Sequence, residues 1–309
     1  MHRINLIGIV FCSLIMTGSL LLAEEAPKKT VLTMGRATDK VTKDHKKIEP
    51  IITYLASKLK DRGIEQGEVM LAGDNKNSTV IEYLKEGKLD LVLETLFSAI
   101  LYEEEANALP ILLIWREGIS EYNTFIFVRK DSGIRGLEDL KGKIIAFEDP
   151  GSTSGYLLPK CTIKAKGFGM VKLDSFDSPV PEDKIGYVFS GSELNVSSWV
   201  FYKKVAAGAL ASPDWVTPDE NPEAYRKEFN IIYETEKIPR MLVIVREGLD
   251  ENLVARIKEE LLNMDKTEEG REALKNYKIN KFEDLPAGGP EAVLRPANDL
   301  LKAGGVEIH

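Results

Sequence analysis

The spacing of apolar residues along the chain switches between strand-like and helix-like periods, and the switches mark out elements. Val31–Gly35 reads as a short strand ending at Arg36. After a loop rich in Lys and Asp, Ile48, Ile51, Ile52, Leu55 and Leu59 recur at helical spacing, with Pro50 near the helix start. Val69–Ala72 is a second strand, and Asn77-Ser78 caps a helix carrying Val80, Ile81 and Leu84 that Gly87 ends. Leu89–Leu93 reads as a buried strand, Phe97 to Ala106 as a helix and Ile111–Trp115 as a further strand. This alternation predicts an open α/β sheet.

A second α/β half follows a break at Gly118–Asn123. Thr124–Arg129 is a long strand, and Gly133–Lys143 a short helix between glycine turns. Lys143–Phe147 is a strand ending in Asp149-Pro150-Gly151, after which Ser152, Thr153, Ser154 and Gly155 open a helix with Leu157, Leu158, Cys161 and Ala165 on one side. Lys184–Phe189 is a strand, and Ser190-Gly191-Ser192 opens a helix running to about Ala207. Strands are expected at Ala209–Ala211, Asn230–Thr235 and Met241–Arg246, then helices at Asn252–Met264, Thr267–Asn276 and Glu291–Ala303. The chain after Pro239 is too short and too helical for a domain of its own, so it returns to the first half. The expected division is 24–123 plus 240–309 for one lobe and 124–239, with the hinge strands, for the other. Each lobe is then an open mixed sheet flanked by helices, and two hinge strands join them across a cleft. Ligands of open α/β sheets sit beyond the carboxyl ends of strands. Four loops meet that rule, two per lobe: Arg36–Thr38, Glu94–Ser98, Asp149–Gly155 and Ser190–Glu193.

Composition narrows the class. The 309 residues are enough for two ordinary domains. Ile4–Leu22 is almost wholly apolar and Arg3 is the one charge before Glu24, which reads as a signal peptide over residues 1–23, or as a membrane anchor if uncleaved. The net charge of −8 gives no general attraction for nucleic acid or an anionic membrane. With residues 1–23 removed, Cys161 is the sole cysteine, so no internal disulfide forms, and it reads as core. The three histidines are scattered, and no metal-ligand cluster, nucleophile elbow or phosphate-binding P-loop is present. No cofactor is expected.

The chemistry-bearing stretch is Ala146–Pro159, AFEDPGSTSGYLLP. The first N–H groups of a helix lack partners and the dipole there is positive, so hydroxyl residues at that start suit an oxyanion. The competing reading makes Ser152 or Thr153 an ordinary N-cap.

These residues resemble the periplasmic phosphate/phosphite/phosphonate-binding proteins of ABC importers. The similarity runs through most of the chain and is most specific over Tyr122–Pro159, where VRKDSGI, LEDLKGK and AFEDPGSTSGYLLP follow in order. It implies a type II periplasmic-binding fold, an oxyanion held by the hydroxyls and helix N–H groups of Ser152, Thr153 and Ser154, a monomer, and a closed form presented to a membrane permease. The chain departs from the family pattern at Gly191-Ser192-Glu193, which lacks the family's His, at Lys203–Gly208, which lacks an Asp, and at Glu94-Thr95. The full ligand set expected is Ser152, Thr153, Ser154, Gly155, Thr95, Ser98, Tyr122, Ser192, Glu193, Glu94 and Arg36. Glu94 and Glu193 would repel a dianion unless paired or met by a cationic group on the ligand. Arg36 either charges the cleft or is a paired surface residue. Tyr122 lines the cleft or packs the hinge. Trp215 reads as loop core, and Lys43, Lys46 and Lys47 as solvated. Three functions follow: a solute-binding protein of an importer, the same fold as a sensory module for a receptor kinase with another or zwitterionic ligand, and an enzyme using Glu94 or Glu193 as base. The first is the expectation, and an enzyme is not.

Overall fold

A computed structural model describes residues 29–308, so the signal peptide read from residues 1–23 lies outside the described residues. In chain order the first lobe builds β1 (Val31–Ala37), α1 (Val41–Lys58), β2 (Gln66–Ala72), α2 (Asn77–Lys85), β3 (Leu91–Glu94), α3 (Leu96–Ala106) and β4 (Leu109–Arg116). A two-residue strand, β5 (Glu121–Tyr122), leads into the second lobe: β6 (Thr124–Arg129), β7 (Ile144–Phe147), α4 (Leu158–Ala165), β8 (Gly169–Lys172), β9 (Lys184–Phe189), α5 (Glu193–Phe201), β10 (Ala207–Ala211), α6 (Ser212–Val216), α7 (Glu223–Arg226) and β11 (Phe229–Glu234). The chain returns through β12 (Ile238–Pro239) to β13 (Leu242–Val245), α8 (Glu251–Met264), α9 (Glu268–Lys275), β14 (Ile279–Asp284) and α10 (Gly289–Gly304).

Two six-stranded mixed sheets result, ordered β14-β4-β13-β3-β1-β2 and β11-β6-β10-β7-β9-β8. The central strands are apolar on both faces because helices cover both. In the first sheet Leu91 and Leu93 point into one core with Ile48, Ile52 and Ile257, while Val92 points into another with Phe97, Ile100 and Leu294. In the second, Ile126 and Val128 share a core with Phe147, and Phe127 one with Val196 and Val200. The lobes are bridged by β5 against β12, antiparallel, with Tyr122 opposite Ile238. This is the two-lobe α/β architecture expected.

Several boundaries differ from the expectation for identifiable reasons. The Lys- and Asp-rich stretch is not a loop: α1 begins at Val41, and Pro50 sits inside the helix. After Val41 the first turns are polar and give no apolar period to read, although Asp44 is buried. Asn77 does not cap α2 by its side chain; its Oδ1 instead accepts from the buried Tyr102 hydroxyl. α5 ends at Phe201, where Lys203 takes positive φ (59°). The edge strands β8 and β14 carry too few apolar residues to announce themselves. Trp215 lies not in a loop but in the short helix α6, half-buried and packed edge-on against Phe125 and Phe127.

Candidate ligand-binding cleft

β7 ends at Phe147, and Asp149 turns the chain by accepting the Gly151 N–H at 2.7 Å. Ser152 is the N-cap: its Oγ accepts the Gly155 N–H at 2.9 Å. The first turn, Thr153–Leu157, is wound as a π-turn, with Leu157 N–H donating to Ser152 O. Pro159 explains part of this, because it has no N–H for the Gly155 carbonyl. The Glu148 N–H takes that carbonyl instead. Gly155 is required by crowding: a Cβ there would stand 2.7 Å from Glu148 Oε2 and 2.8 Å from Ser152 Oγ. The wide turn leaves the Thr153 and Ser154 N–H groups without helical acceptors at the helix start, and π-turns recur at functional sites.

All four strand-end loops named above reach one interlobe cleft of about 800 Å³. Arg36, Glu94, Thr95, Ser98, Tyr122, Ser152, Thr153, Ser154, Ser192 and Glu193 all line it. Gly155 does not; it is buried behind the turn with its N–H committed to Ser152. The lobes meet at Thr153 Oγ1, which donates to Thr95 Oγ1 at the start of α3, 2.9 Å away. Ser154 carries both hinge contacts, its carbonyl accepting from Thr124 Oγ1 at 2.7 Å and its side chain meeting the Tyr122 hydroxyl. Tyr122 is at once cleft wall and hinge, and burial raises its hydroxyl pKa. Ser192 caps α5 by accepting the Asn195 N–H.

The two walls differ in charge. On the first lobe Arg36 pairs with the buried Glu94 at 2.9 Å and donates to Tyr277 Oη at 2.9 Å. Burial opposes the guanidinium charge, but Glu94 and Tyr277 outweigh it and raise its pKa. Glu94 also accepts the Thr95 N–H at 2.9 Å, so it is paired and does not face the cleft as a bare charge. Lys40, Lys43 and Lys47, carried by the unexpected first turns of α1 and its cap, add positive charge to the same wall. Lys47 pairs with Asp44 at 2.7 Å, and despite burial Asp44 stays below its usual range through Lys47 and Thr38. Arg240, paired with Glu117, also lines the cleft.

The second lobe's wall holds Glu148, Asp149, Glu193 and Asp214. Burial and the neighbouring Glu193 push Glu148 up to about 8, with Ser152 opposing the shift. Burial, Glu220 and Glu193 push Asp214 up to about 8 as well. Sequence reasoning missed Glu148 and Asp214; Glu148, directly preceding the turn's Asp149, was the visible signal. Cys161 is fully buried on α4 and burial pushes its thiol up to about 12, which removes it as a nucleophile. Among the described residues there is no cluster fit for a metal ion, and no helix long and apolar enough to cross a membrane.

Comparison with known proteins agrees with this architecture. XAC2383 from Xanthomonas citri, solved bound to ATP and bound to chloride ion, superposes with a TM-score of 0.82 at 29% identity, covering 90% of this chain and 98–99% of that one. PhnD1 from Prochlorococcus marinus, in complex with methylphosphonate, gives 0.62 at 18% identity over 88% of this chain and 97% of that one. The family described as ABC transporter, phosphonate, periplasmic substrate-binding protein matches residues 39–286, well over half of the chain. Its members are periplasmic substrate-binding components, which implies a small ligand and a membrane permease. The chain belongs to this phosphonate-binding family of periplasmic substrate-binding proteins.

Proposed function

We propose that this chain is exported to the periplasm and delivers a small phosphorus oxyanion, phosphonate, phosphite or phosphate, to an ABC importer. The observation that carries the reading is the Thr153–Thr95 contact inside the cleft. It brings a helix start from each lobe to one point, where helix N–H groups and hydroxyls can receive an anion. Thr153, Ser154, Thr95 and Ser98 supply donors, Tyr122 fixes Ser154, and the cationic first-lobe wall supplies the field. Ser152 and Gly155 shape the turn. Arg36 and Glu94 act as a paired unit that orients Thr95. The ATP-bound XAC2383 and methylphosphonate-bound PhnD1 are phosphorus-ligand precedents on this fold.

A second reading is favoured by one feature, the carboxyls of the other wall. Glu148, Glu193 and Asp214 suit a ligand that adds a cationic group to its oxyanion, as a zwitterionic aminoalkylphosphonate does; a receptor kinase rather than a permease is then an alternative client. A thermal-shift screen of residues 24–309 separates the readings. Methylphosphonate, phosphite or phosphate should raise Tm in the parent and not in Thr153→Ala. A rise with 2-aminoethylphosphonate alone selects the zwitterion. No rise with any of the four sinks both.

A further inference from the structure

The β5–β12 ladder is not the lobes' sole connection. α4 starts at the hydroxyl turn of the second lobe, yet its residues serve two cores. Ile163 packs with Phe147 and Tyr187 under the second sheet. Leu158 and Cys161, 1% and 0% exposed, instead join the first lobe's apolar cluster with Val293, Leu294, Ala297 and Leu301 of α10. The approach is close: a Cβ at Gly304 would lie 3.0 Å from the Cys161 carbonyl oxygen and 3.3 Å from its Cα. Lys164 Nζ then donates to Gly305 O at 2.8 Å. The last helix of the chain therefore packs on α3 and β4 of its own lobe and on α4 of the other.

We propose that the α4–α10 contact is a permanent third pivot of the hinge, kept intact as the cleft opens and closes; this rests on reading the cleft as the ligand site. A latch that parted on opening would expose Leu158, Cys161 and Leu301 to water each time. That cost scales with apolar area, and a small ligand would have to recover all of it on closing. A pivot keeps those side chains buried. The bare backbone at Gly304 gives α10 a smooth surface on which α4 can turn, and small sliding of packed helices is a known way to accommodate lobe rotation. The hydroxyl turn lies at the N-terminus of α4, so Thr153 is the far end of a lever whose bearing is Cys161 on Gly304. Because the contact is made equally in open and closed protein, weakening it shifts neither population and leaves every affinity unchanged.

Hydrogen exchange with and without methylphosphonate tests the pivot directly. Amides of residues 158–165 and 293–304 should be equally protected in both states, while residues 152–155 gain protection with ligand. Protection of α4 and α10 that appears only with ligand would make the contact a latch and overturn the proposal. Leu301→Ala removes apolar contact present in both states, so it should lower Tm while leaving the ligand-free radius of gyration in small-angle scattering unchanged and the affinities for methylphosphonate and inorganic phosphate within about twofold. Gly304→Ala, which must push Cys161 by a few tenths of an ångström, should act in the same direction and guards against a folding defect in the first variant. A larger ligand-free radius with both ligands weakened about tenfold, in either folded variant, would make the contact a latch and overturn the pivot. If the parent binds neither probe, the ligand reading fails alone, and the pivot is still judged by ligand-free exchange and scattering.

Discussion

The two walls of the cleft are built on opposite electrostatic plans. On the first lobe three charges of the cleft wall have partners: Arg36 with Glu94, Lys47 with Asp44, Arg240 with Glu117. On the second, Glu148, Glu193, Asp214 and Glu220 crowd one another, and Glu148 and Asp214 respond by holding their protons to about pH 8. A paired buried charge is a structural commitment, since removing one partner strands the other. A crowded carboxyl is a reserve, relieved by a proton or by a cation brought from outside. The first wall therefore has its central charges paired without ligand and the second does not. This contrast separates residues that build the cleft from those that tune its occupant.

The largest break in that contrast comes from Arg36→Ala. It strands Glu94, 4% exposed, and removes a donor to Tyr277. The expected cost is about 3–5 kcal/mol, or roughly 10 °C in Tm by calorimetry. Adding Glu94→Ala to the same chain should restore part of the loss, and a double variant no better than the single would contradict the pairing. Next comes the pH response of the other wall. Glu148 and Asp214 bind protons more readily folded than unfolded, so stability is full below the ordinary carboxyl range and is lost as pH rises through about 8. Melting of ligand-free protein should fall by about 5 °C between pH 5 and pH 9. Glu148→Gln should raise Tm at pH 9 and flatten the profile; a profile that rises with pH would refute the crowding. Smaller again is Thr153→Val, which keeps volume and removes the hydroxyl that meets Thr95. Oxyanion affinity by calorimetry should drop about 30-fold, the worth of one hydrogen bond to a charged group, with ligand-free Tm falling by only about 2–4 °C for the lost bond to Thr95. A drop under threefold would remove Thr153 from the ligand.

Much of this was legible in the chain. Periodicity located the strands that carry the four loops, because buried strands such as Leu91–Glu94 and Leu242–Val245 are apolar throughout. The hydroxyl turn was legible because Asp149-Pro150-Gly151 and Ser152–Gly155 each have a local job. What was not legible depends on distance in the chain. Glu148 directly follows β7 and Asp214 lies in α6 just after β10, so they come to one wall only when β7 and β10 pair. The cationic wall was missed because the first turns of α1 are polar and look like loop, although they carry Lys43 and Lys47 into the cleft. Cys161 read as core, and it is, but nothing local says that half of this core belongs to the opposite lobe.

The smallest effect is the most discriminating for the second wall. Ser152 was open to two readings, N-cap or ligand donor. Its Oγ accepts the Gly155 N–H at 2.9 Å, and its hydroxyl holds Glu148 below where burial alone would put it. Both of its hydrogen-bonding roles are thus spent inside the protein. Ser152→Ala should cost about 1 kcal/mol, the worth of an N-cap, seen as a 2–4 °C fall in Tm. It should also extend the pH-dependent loss of stability to higher pH, because Glu148 loses the donor that favours its ionised form. Oxyanion affinity should change by less than about threefold, in contrast to Thr153→Val. A tenfold loss of affinity with Tm unmoved would reverse the assignment. Ser152 would then be a ligand donor, and the hydroxyl turn would hold the anion along its whole length rather than at Thr153 and Ser154.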